Sequence, residues 1–184
     1  MSLLTYQGKL LQSTNKYLAG PAALPYFPNL TIGTQTWMQF NADASIPGSL
    51  VYNDDEANRP LYGGLYNYAD LATLVSYYPG YKVPTISDYS VLATFLGGTS
   101  VAGNAIKEVG TTYWNGGGTN SSGFGARGGG MGYGVGSYVA LKTDGYYLTT
   151  DPTNLMAVFS GFATMYPSWS YGSAYYFSVR LNKI

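Results

Sequence analysis

The pattern of apolar and polar positions divides the chain into short elements, and most of these are predicted strands. Residues 30–38 have the pattern of a strand, a turn and a second strand. Four later segments also have strand-like spacing, at 138–141, 146–149, 156–162 and 176–181. The last of them alternates between apolar residues on one side and Ser178 and Arg180 on the other. The many glycines between residues 110 and 136 predict long irregular loops.

A first helix is predicted to begin at Pro60, because proline suits the first turn of a helix. Its expected apolar face is formed by residues spaced three or four apart, namely Leu61, Leu65, Tyr68, Ala72 and Val75. Pro79 and Gly80 are expected to end it. This pattern predicts one helix that runs through most of residues 60–78.

A second helix is predicted after Thr85, which forms a capping box with Asp88. Leu92, Phe95 and Leu96 are its expected apolar residues, and the glycine pair at 97–98 is expected to end it. A short helical turn is also predicted at 104–109.

The first 28 residues have a different pattern from the remainder of the chain. Residues 1–20 are predicted to form a short β-hairpin around a turn at Gln7 and Gly8. Because an isolated hairpin is only marginally stable, we expect it to dock either on the main domain or on a neighbouring molecule. Its expected attachment residues are Leu4, Tyr6, Leu10 and Tyr17. The proline-rich residues 21–28 are expected to form a stiff linker to a domain at 29–184.

The low charge of the chain narrows its expected partners. It has 9 basic and 9 acidic residues, and only 10% of its residues are charged. Nucleic acid and anionic membrane surfaces both require a basic face, so neither is an expected partner. No apolar run is long enough to insert into a membrane. A weakly charged surface tends to associate, which favours a homo-oligomer or a complex with other proteins.

The chain contains neither histidine nor cysteine, and this limits its chemistry. Catalytic triads that need histidine or cysteine are excluded, as are zinc sites with imidazole or thiolate ligands. A carboxylate enzyme would need Glu108 with Asp88 or Asp144, and a calcium loop would need Asp54–Glu56 with Asn58. Neither set has the spacing of a known site, so we expect no enzyme activity and no cofactor or metal, although calcium near Asp54–Glu56 stays open.

Aromatic and serine residues near the end of the chain are the expected contact residues. They are Tyr166, Ser168, Trp169, Ser170, Tyr171, Ser173 and Tyr175. Tyrosine, tryptophan and serine combine a large contact area with adaptable hydrogen bonding, as in rigid binding loops. The same composition is typical of subunit interfaces, so both interpretations stay open. Trp37, in contrast, is expected to pack in the core.

Nine short blocks occur in the order of a known domain family. They lie at 31–38, 52–58, 62–66, 83–88, 96–98, 102–108, 114–115, 118–124 and 177–180. Over roughly residues 30–183 the chain resembles the FISUMP domain, the major paralogous domain family of Fibrobacter succinogenes. The resemblance implies an α+β fold similar to C-type lectins, with two helices, a small antiparallel sheet and long glycine-rich loops. It also implies displayed side chains in the C-terminal part. The cysteine that many members carry before the second helix is missing from residues 78–82.

The resemblance also implies a function, because members are mostly extracellular or virion proteins that bind other molecules. Residues 1–20 are similar to attachment segments of phage structural proteins, and they lack the pattern of a signal peptide. We therefore expect a non-enzymatic phage virion protein, a fibre or decoration protein, located on the particle surface. The alternative is an adhesin of a bacterial cell surface that recognises a host receptor, either glycan or protein.

Overall fold

The computed structural model describes residues 27–172 and 174–184, and this part of the chain has an α+β fold. Its strands are β1 (Asn29–Ile32), β2 (Gln35–Met38), β3 (Tyr81–Lys82), β4 (Met131–Gly134), β5 (Ser137–Val139), β6 (Asp144–Leu148), β7 (Asn154–Phe159), β8 (Met165–Ser170) and β9 (Asn182–Lys183). Its helices are α1 (Arg59–Tyr62), α2 (Leu71–Ser76), α3 (Ile86–Phe95) and α4 (Thr99–Ile106). The predicted α+β class is confirmed. The predicted hairpin with Leu4, Tyr6, Leu10 and Tyr17, most of the linker and Ser173 lie outside the described residues.

The strands form three antiparallel sheets, with orders β1-β2-β9-β3, β4-β5 and β6-β7-β8. The predicted hairpin at 30–38 is confirmed as β1 and β2. The strand predicted at 176–181 is instead a run of single bridges at Tyr176, Phe177 and Ser178, followed by β9. Ser178 and Arg180 are as buried as the apolar residues between which they alternate, because other chain segments cover both sides.

The single helix predicted from Pro60 is wrong, because the chain breaks it in the middle. Helix α1 ends at Tyr62, and the next residue, Gly63, has a φ of 84°. A side chain at Gly63 would meet the Ala42 carbonyl oxygen at 2.7 Å, so this close approach requires glycine. The next residues, Leu65 and Tyr66, pair as isolated bridges, and helix α2 begins only later. Leu65 is therefore buried in extended backbone, and it does not share a helix face with the exposed Leu61.

The second predicted helix is confirmed as α3. Thr85 and Asp88 form the expected reciprocal capping box at its start. Its buried face consists of Tyr89, Leu92 and Ala93, whereas Phe95 is 62% exposed and does not belong to it. Helix α4 is longer than the predicted turn and begins five residues earlier, at Thr99. Among the described residues, no helix has the length and apolarity that a bilayer crossing requires.

The sheet formed by β6, β7 and β8 separates two apolar cores. One face, with Tyr147, Met156, Val158 and Met165, belongs to the core beneath α3 and α4. The opposite face, with Leu148, Leu155 and Ala157, belongs to the core that contains Tyr66 and Phe177. Trp37 is completely buried in the first core, where its ring stacks on Tyr89 at 5.2 Å, as its predicted core role requires.

Candidate functional site

Strand β8 carries four of the seven predicted contact residues. It is an edge strand, because β7 is the only strand of the described residues that pairs with it. Its register pairs Ala157 with Tyr166 and Leu155 with Trp169, so two residues of β8 lie opposite the single Met156. This arrangement is a β-bulge, and Pro167 lies within it, where a missing N–H group is tolerated. The sequence pattern did not predict this strand, because proline and the extra residue both interrupt the usual alternation.

The bulge determines which side chains share a face. Tyr166 and Trp169 are three residues apart and would point to opposite faces of a regular strand. The extra residue shifts the alternation, and their ring centroids lie 5.2 Å apart. Both rings also contact Phe159 of β7, at centroid distances of 5.6 and 5.1 Å. Three aromatic rings are thereby fixed against one another on one face of the sheet.

The aromatic contacts continue across the sheet to the last segment of the chain. Phe159 contacts Tyr146 of β6 at 5.9 Å, and Tyr146 contacts Phe177 at 5.6 Å. Phe177 is buried and contacts Tyr171 at 4.9 Å and Tyr175 at 6.4 Å. The structure thus joins all four predicted aromatic contact residues through rings that the sequence analysis did not select.

We name this continuous set the aromatic surface. It consists of Tyr133, Tyr146, Phe159, Tyr166, Trp169, Tyr171 and Tyr175 around Phe177. Tyr133 belongs to β4 and joins through Tyr175, at a centroid distance of 4.9 Å. Trp169 and Tyr133 are 40% and 46% exposed and are the most accessible rings of the set, while the others are half-buried supports.

Polar groups line the opposite face of the edge strand, because Ser168 and Ser170 alternate with Trp169 and lie beside Asn154. The hydroxyl groups of Ser168 and Ser170 each lie 3.2 Å from Asn154 Oδ1 and can donate to it. The Asn154 amide in turn donates to Asp151 Oδ1. Backbone and side-chain hydrogen bonds from Thr153 lower the pKa of Asp151, so this exposed carboxylate is ionised near neutral pH. This opposite face of β8 therefore contains oriented acceptors beside exposed hydroxyl groups.

Tyr171 has a different position from the other predicted contact residues. Its hydroxyl oxygen is buried and has no hydrogen-bond partner among the described residues. Burial of the hydroxyl group raises the pKa of Tyr171 to about 12. Because the ring packs edge-on against Phe177, Tyr171 contributes mainly to packing, and Trp169 is the better-placed contact residue.

Arg180 is completely buried and joins residues 38–41 to residues 124–125. Its guanidinium group donates to Asn41 Oδ1 at 3.1 and 2.8 Å. It also donates to four backbone carbonyl groups, those of Met38, Gln39, Phe124 and Gly125. No carboxylate is among these acceptors, and burial lowers the pKa of Arg180 to about 10. The sequence singled out the block 177–180, but it could not reveal that the acceptors are backbone oxygens.

Lys107 is a second buried cation, and it contacts the main chain of a residue in the aromatic surface. The Lys107 ammonium group donates to the carbonyl oxygens of Phe159, at 2.8 Å, and Phe162, at 2.6 Å. It lies 5.5 Å from the centre of the Trp114 ring. Desolvation lowers the pKa of Lys107. Lys107 therefore holds the main chain of Phe159 in place. The ring of Phe159 contacts rings of both neighbouring strands, β6 and β8.

The candidate catalytic carboxylates each contact a different neighbour. Glu108 pairs with Arg127 at 3.1 Å, and Asp88 pairs with Lys82 at 3.0 Å, while Asp144 accepts from Tyr146 at 2.8 Å. The candidate calcium residues are likewise engaged locally. Asp54 accepts from Tyr138, Asp55 caps a short helical turn, and Glu56 pairs with Arg59. Among the described residues, no three acidic side chains gather into a possible metal site.

Comparison with known proteins yields one finding. A model of the Fibrobacter succinogenes major domain matches residues 30–183, which is most of the chain and the range predicted from the sequence. No curated protein and no solved structure matches the chain. The likeness to C-type lectins stays a prediction. The chain belongs to the Fibrobacter succinogenes major domain family.

Proposed function

We propose that this protein is a non-enzymatic binding protein and that the aromatic surface is its contact site. The observation that carries the proposal is the continuous set of rings, contributed by β4, β6, β7, β8 and residues 171–177. Tryptophan and tyrosine dominate the binding energy of protein interfaces, especially where they are held rigidly. The β-bulge and Lys107 both hold these rings in place before a partner arrives.

We further propose that the protein is part of a phage particle, as a fibre or decoration protein on its surface. Two observations support this location: the low charge of the chain and the similarity of residues 1–20 to phage attachment segments. In this proposal the N-terminal segment contacts other virion proteins, and copies of the domain associate with one another. A weakly charged surface is suited to such assembly, because little charge must be desolvated.

An adhesin function is the alternative, and the exposed ring of Trp169 supports it. Ser168, Ser170 and Asn154 lie on the opposite face of the edge strand and do not share this contact. An exposed aromatic ring can contact a sugar or a protein loop on a host surface. The two functions use the same surface and differ in the molecule that is bound.

The decisive variant is Trp169→Ala, with Phe95→Ala as a control, because Phe95 is exposed on α3 and is not part of the aromatic surface. Sedimentation of the full chain measures self-association, and a glycan array measures sugar binding. We expect Trp169→Ala to weaken whichever interaction is observed by about thirty-fold, as for a hot-spot residue. Phe95→Ala should leave it unchanged.

Equal behaviour of the two variants would contradict the aromatic surface as the contact site. Self-association without glycan binding supports the virion role, and glycan binding by the monomer supports the adhesin. Release of reducing ends from the arrayed glycans by the purified protein would contradict the non-enzymatic assignment.

A further inference from the structure

A pocket that shares no residue with the aromatic surface lies between residues 40–43, helix α1 and two loop residues. Its wall includes Phe40, Asp43, Arg59, Tyr113 and Arg127. The cavity volume is about 270 Å³. Sites for drug-sized ligands usually measure roughly 300–1,000 Å³. The pocket is therefore of a size for a single small ring.

One wall of the pocket is aromatic and fixed by a cation. The Arg127 guanidinium carbon lies 3.9 Å from the centre of the Tyr113 ring and 5.5 Å from that of Phe40. Arg127 also donates to Glu108 at 3.1 Å and to the Leu61 carbonyl oxygen. Phe40 is nevertheless 46% exposed, so its ring is available to a ligand.

The acidic group of the pocket is held in place by a buried tyrosine. Tyr78 is 1% exposed, and its hydroxyl group donates to Asp43 Oδ1 at 2.8 Å. The same hydroxyl oxygen accepts from the backbone N–H groups of Asp43 and Ala44. Burial raises the pKa of Tyr78 far above its usual value, so this donor keeps its proton. Asp43 Oδ2 has no partner among the described residues and can accept a hydrogen bond from a ligand.

The two arginine charges around the pocket are already compensated by glutamates. Arg59 makes a bidentate pair with Glu56, at 2.6 and 2.8 Å, and Arg127 pairs with Glu108. An anionic ligand would meet the Asp43 carboxylate, and a cationic ligand would meet the two arginines. A neutral ligand with both donors and acceptors avoids both penalties, because it can donate to Asp43 and accept from the guanidinium groups.

We infer that this pocket binds one uncharged, hydroxyl-rich ring, such as the terminal residue of a neutral glycan. The C–H face of such a ring packs on Phe40, and its hydroxyl groups reach Asp43 and Arg127. This inference does not rest on the proposed function of the aromatic surface. The proposals for the two sites can therefore be contradicted independently of each other.

The test uses the full chain with the methyl glycosides of glucose, galactose and mannose as probes, and with glucuronate and inorganic phosphate as charged comparisons. Amide shifts in NMR spectra locate the binding site and give the affinity. We expect at least one neutral glycoside to shift Phe40, Asn41 and Gly63 at millimolar concentration. Phe40→Ala should weaken binding about ten-fold, because the ring platform is lost.

Two further variants separate binding from folding. Asp43→Asn keeps an oxygen for the Tyr78 hydroxyl group but removes the carboxylate, and it should weaken the neutral glycoside. Phe162→Ala removes an exposed ring that does not line the pocket, and it should change nothing. The inference is overturned if no neutral glycoside shifts these amides, if a charged probe binds more tightly, or if Phe40→Ala behaves like Phe162→Ala.

Discussion

The two faces of the β6-β7-β8 sheet both carry apolar residues but differ in how completely these residues are covered. On the helix-facing side, Met156, Val158 and Met165 are completely buried. On the other side, at the end of the sheet nearest β8, Phe159 and Tyr166 are half-buried and Trp169 is 40% exposed. The same three strands therefore present one completely buried face and one face that is partly exposed around Trp169.

The difference teaches how one sheet can serve both folding and contact. Aliphatic side chains of the buried face fill space beneath α3 and α4, and their value lies in close packing. The rings of the aromatic surface support one another in edge-on contacts and remain ordered while partly exposed. Changes on the first face should mainly alter stability, and changes on the second should mainly alter binding.

The largest expected effect is that of Met156→Ala, on the buried face. Removing a completely buried methionine leaves a cavity and should lower the free energy of unfolding by about 2–5 kcal/mol. Urea denaturation followed by fluorescence measures this. Met156→Leu keeps the volume and should cost less than about 1.5 kcal/mol. If Met156→Ala costs no more than Met156→Leu, the buried face is not a close-packed core.

A smaller loss is expected from Phe159→Ala, at the centre of the aromatic surface. This half-buried ring contacts Tyr146, Tyr166 and Trp169, so we expect a loss of about 2 kcal/mol together with weaker binding. Phe162→Ala, three residues later, removes a 61% exposed ring and should cost less than about 0.5 kcal/mol. Equal losses in the two variants would mean that the ring contacts contribute nothing to stability.

The smallest effect at neutral pH is expected from Tyr171→Phe, which removes a buried hydroxyl group without a partner among the described residues. The variant should be as stable as the wild type or more stable by about 1 kcal/mol. The variant also removes the contribution of Tyr171 to the pH dependence of the free energy of unfolding. Its pKa is about 12 in the folded protein and about 10 in the unfolded chain, so the folded state retains a proton that the unfolded state releases.

The stabilisation from that retained proton is complete below pH 10, and it is lost as the pH rises towards 12. Tyr171→Phe should therefore lose less stability than the wild type when urea denaturation is repeated at higher pH. Parallel pH profiles for the two proteins would show that the Tyr171 hydroxyl group is hydrated in the folded state.

Elements with local signals could be predicted from the sequence. The capping box of α3 lies within four residues, and the hairpin of β1 and β2 surrounds one turn, so both were recognisable without the tertiary structure. The break in the helix after Pro60 could not be predicted, because the apolar spacing that indicates a helix continues on both sides of Gly63. The break depends on the approach of Ala42, which is distant in the sequence.

The candidate sites were only partly predictable for the same physical reason. The composition of residues 166–175 indicated a contact surface, and the structure joins its aromatic residues. Phe159, Tyr146 and Tyr133 were missed because they come from other strands and meet the surface only after the sheet has formed. The pocket beside Phe40 was also missed, since its wall combines residues from 40 to 127.

The carbonyl contacts of Arg180 have a consequence for how the domain forms. They join Arg180 to Asn41 across 139 residues and to Met38 across 142 residues. Contacts of such long range slow folding, because a large loop must close before they stabilise the chain. Until Arg180 is in place, the carbonyl groups of residues 38, 39, 124 and 125 lack this donor. We therefore expect the docking of Arg180 to be a late and slow step of folding.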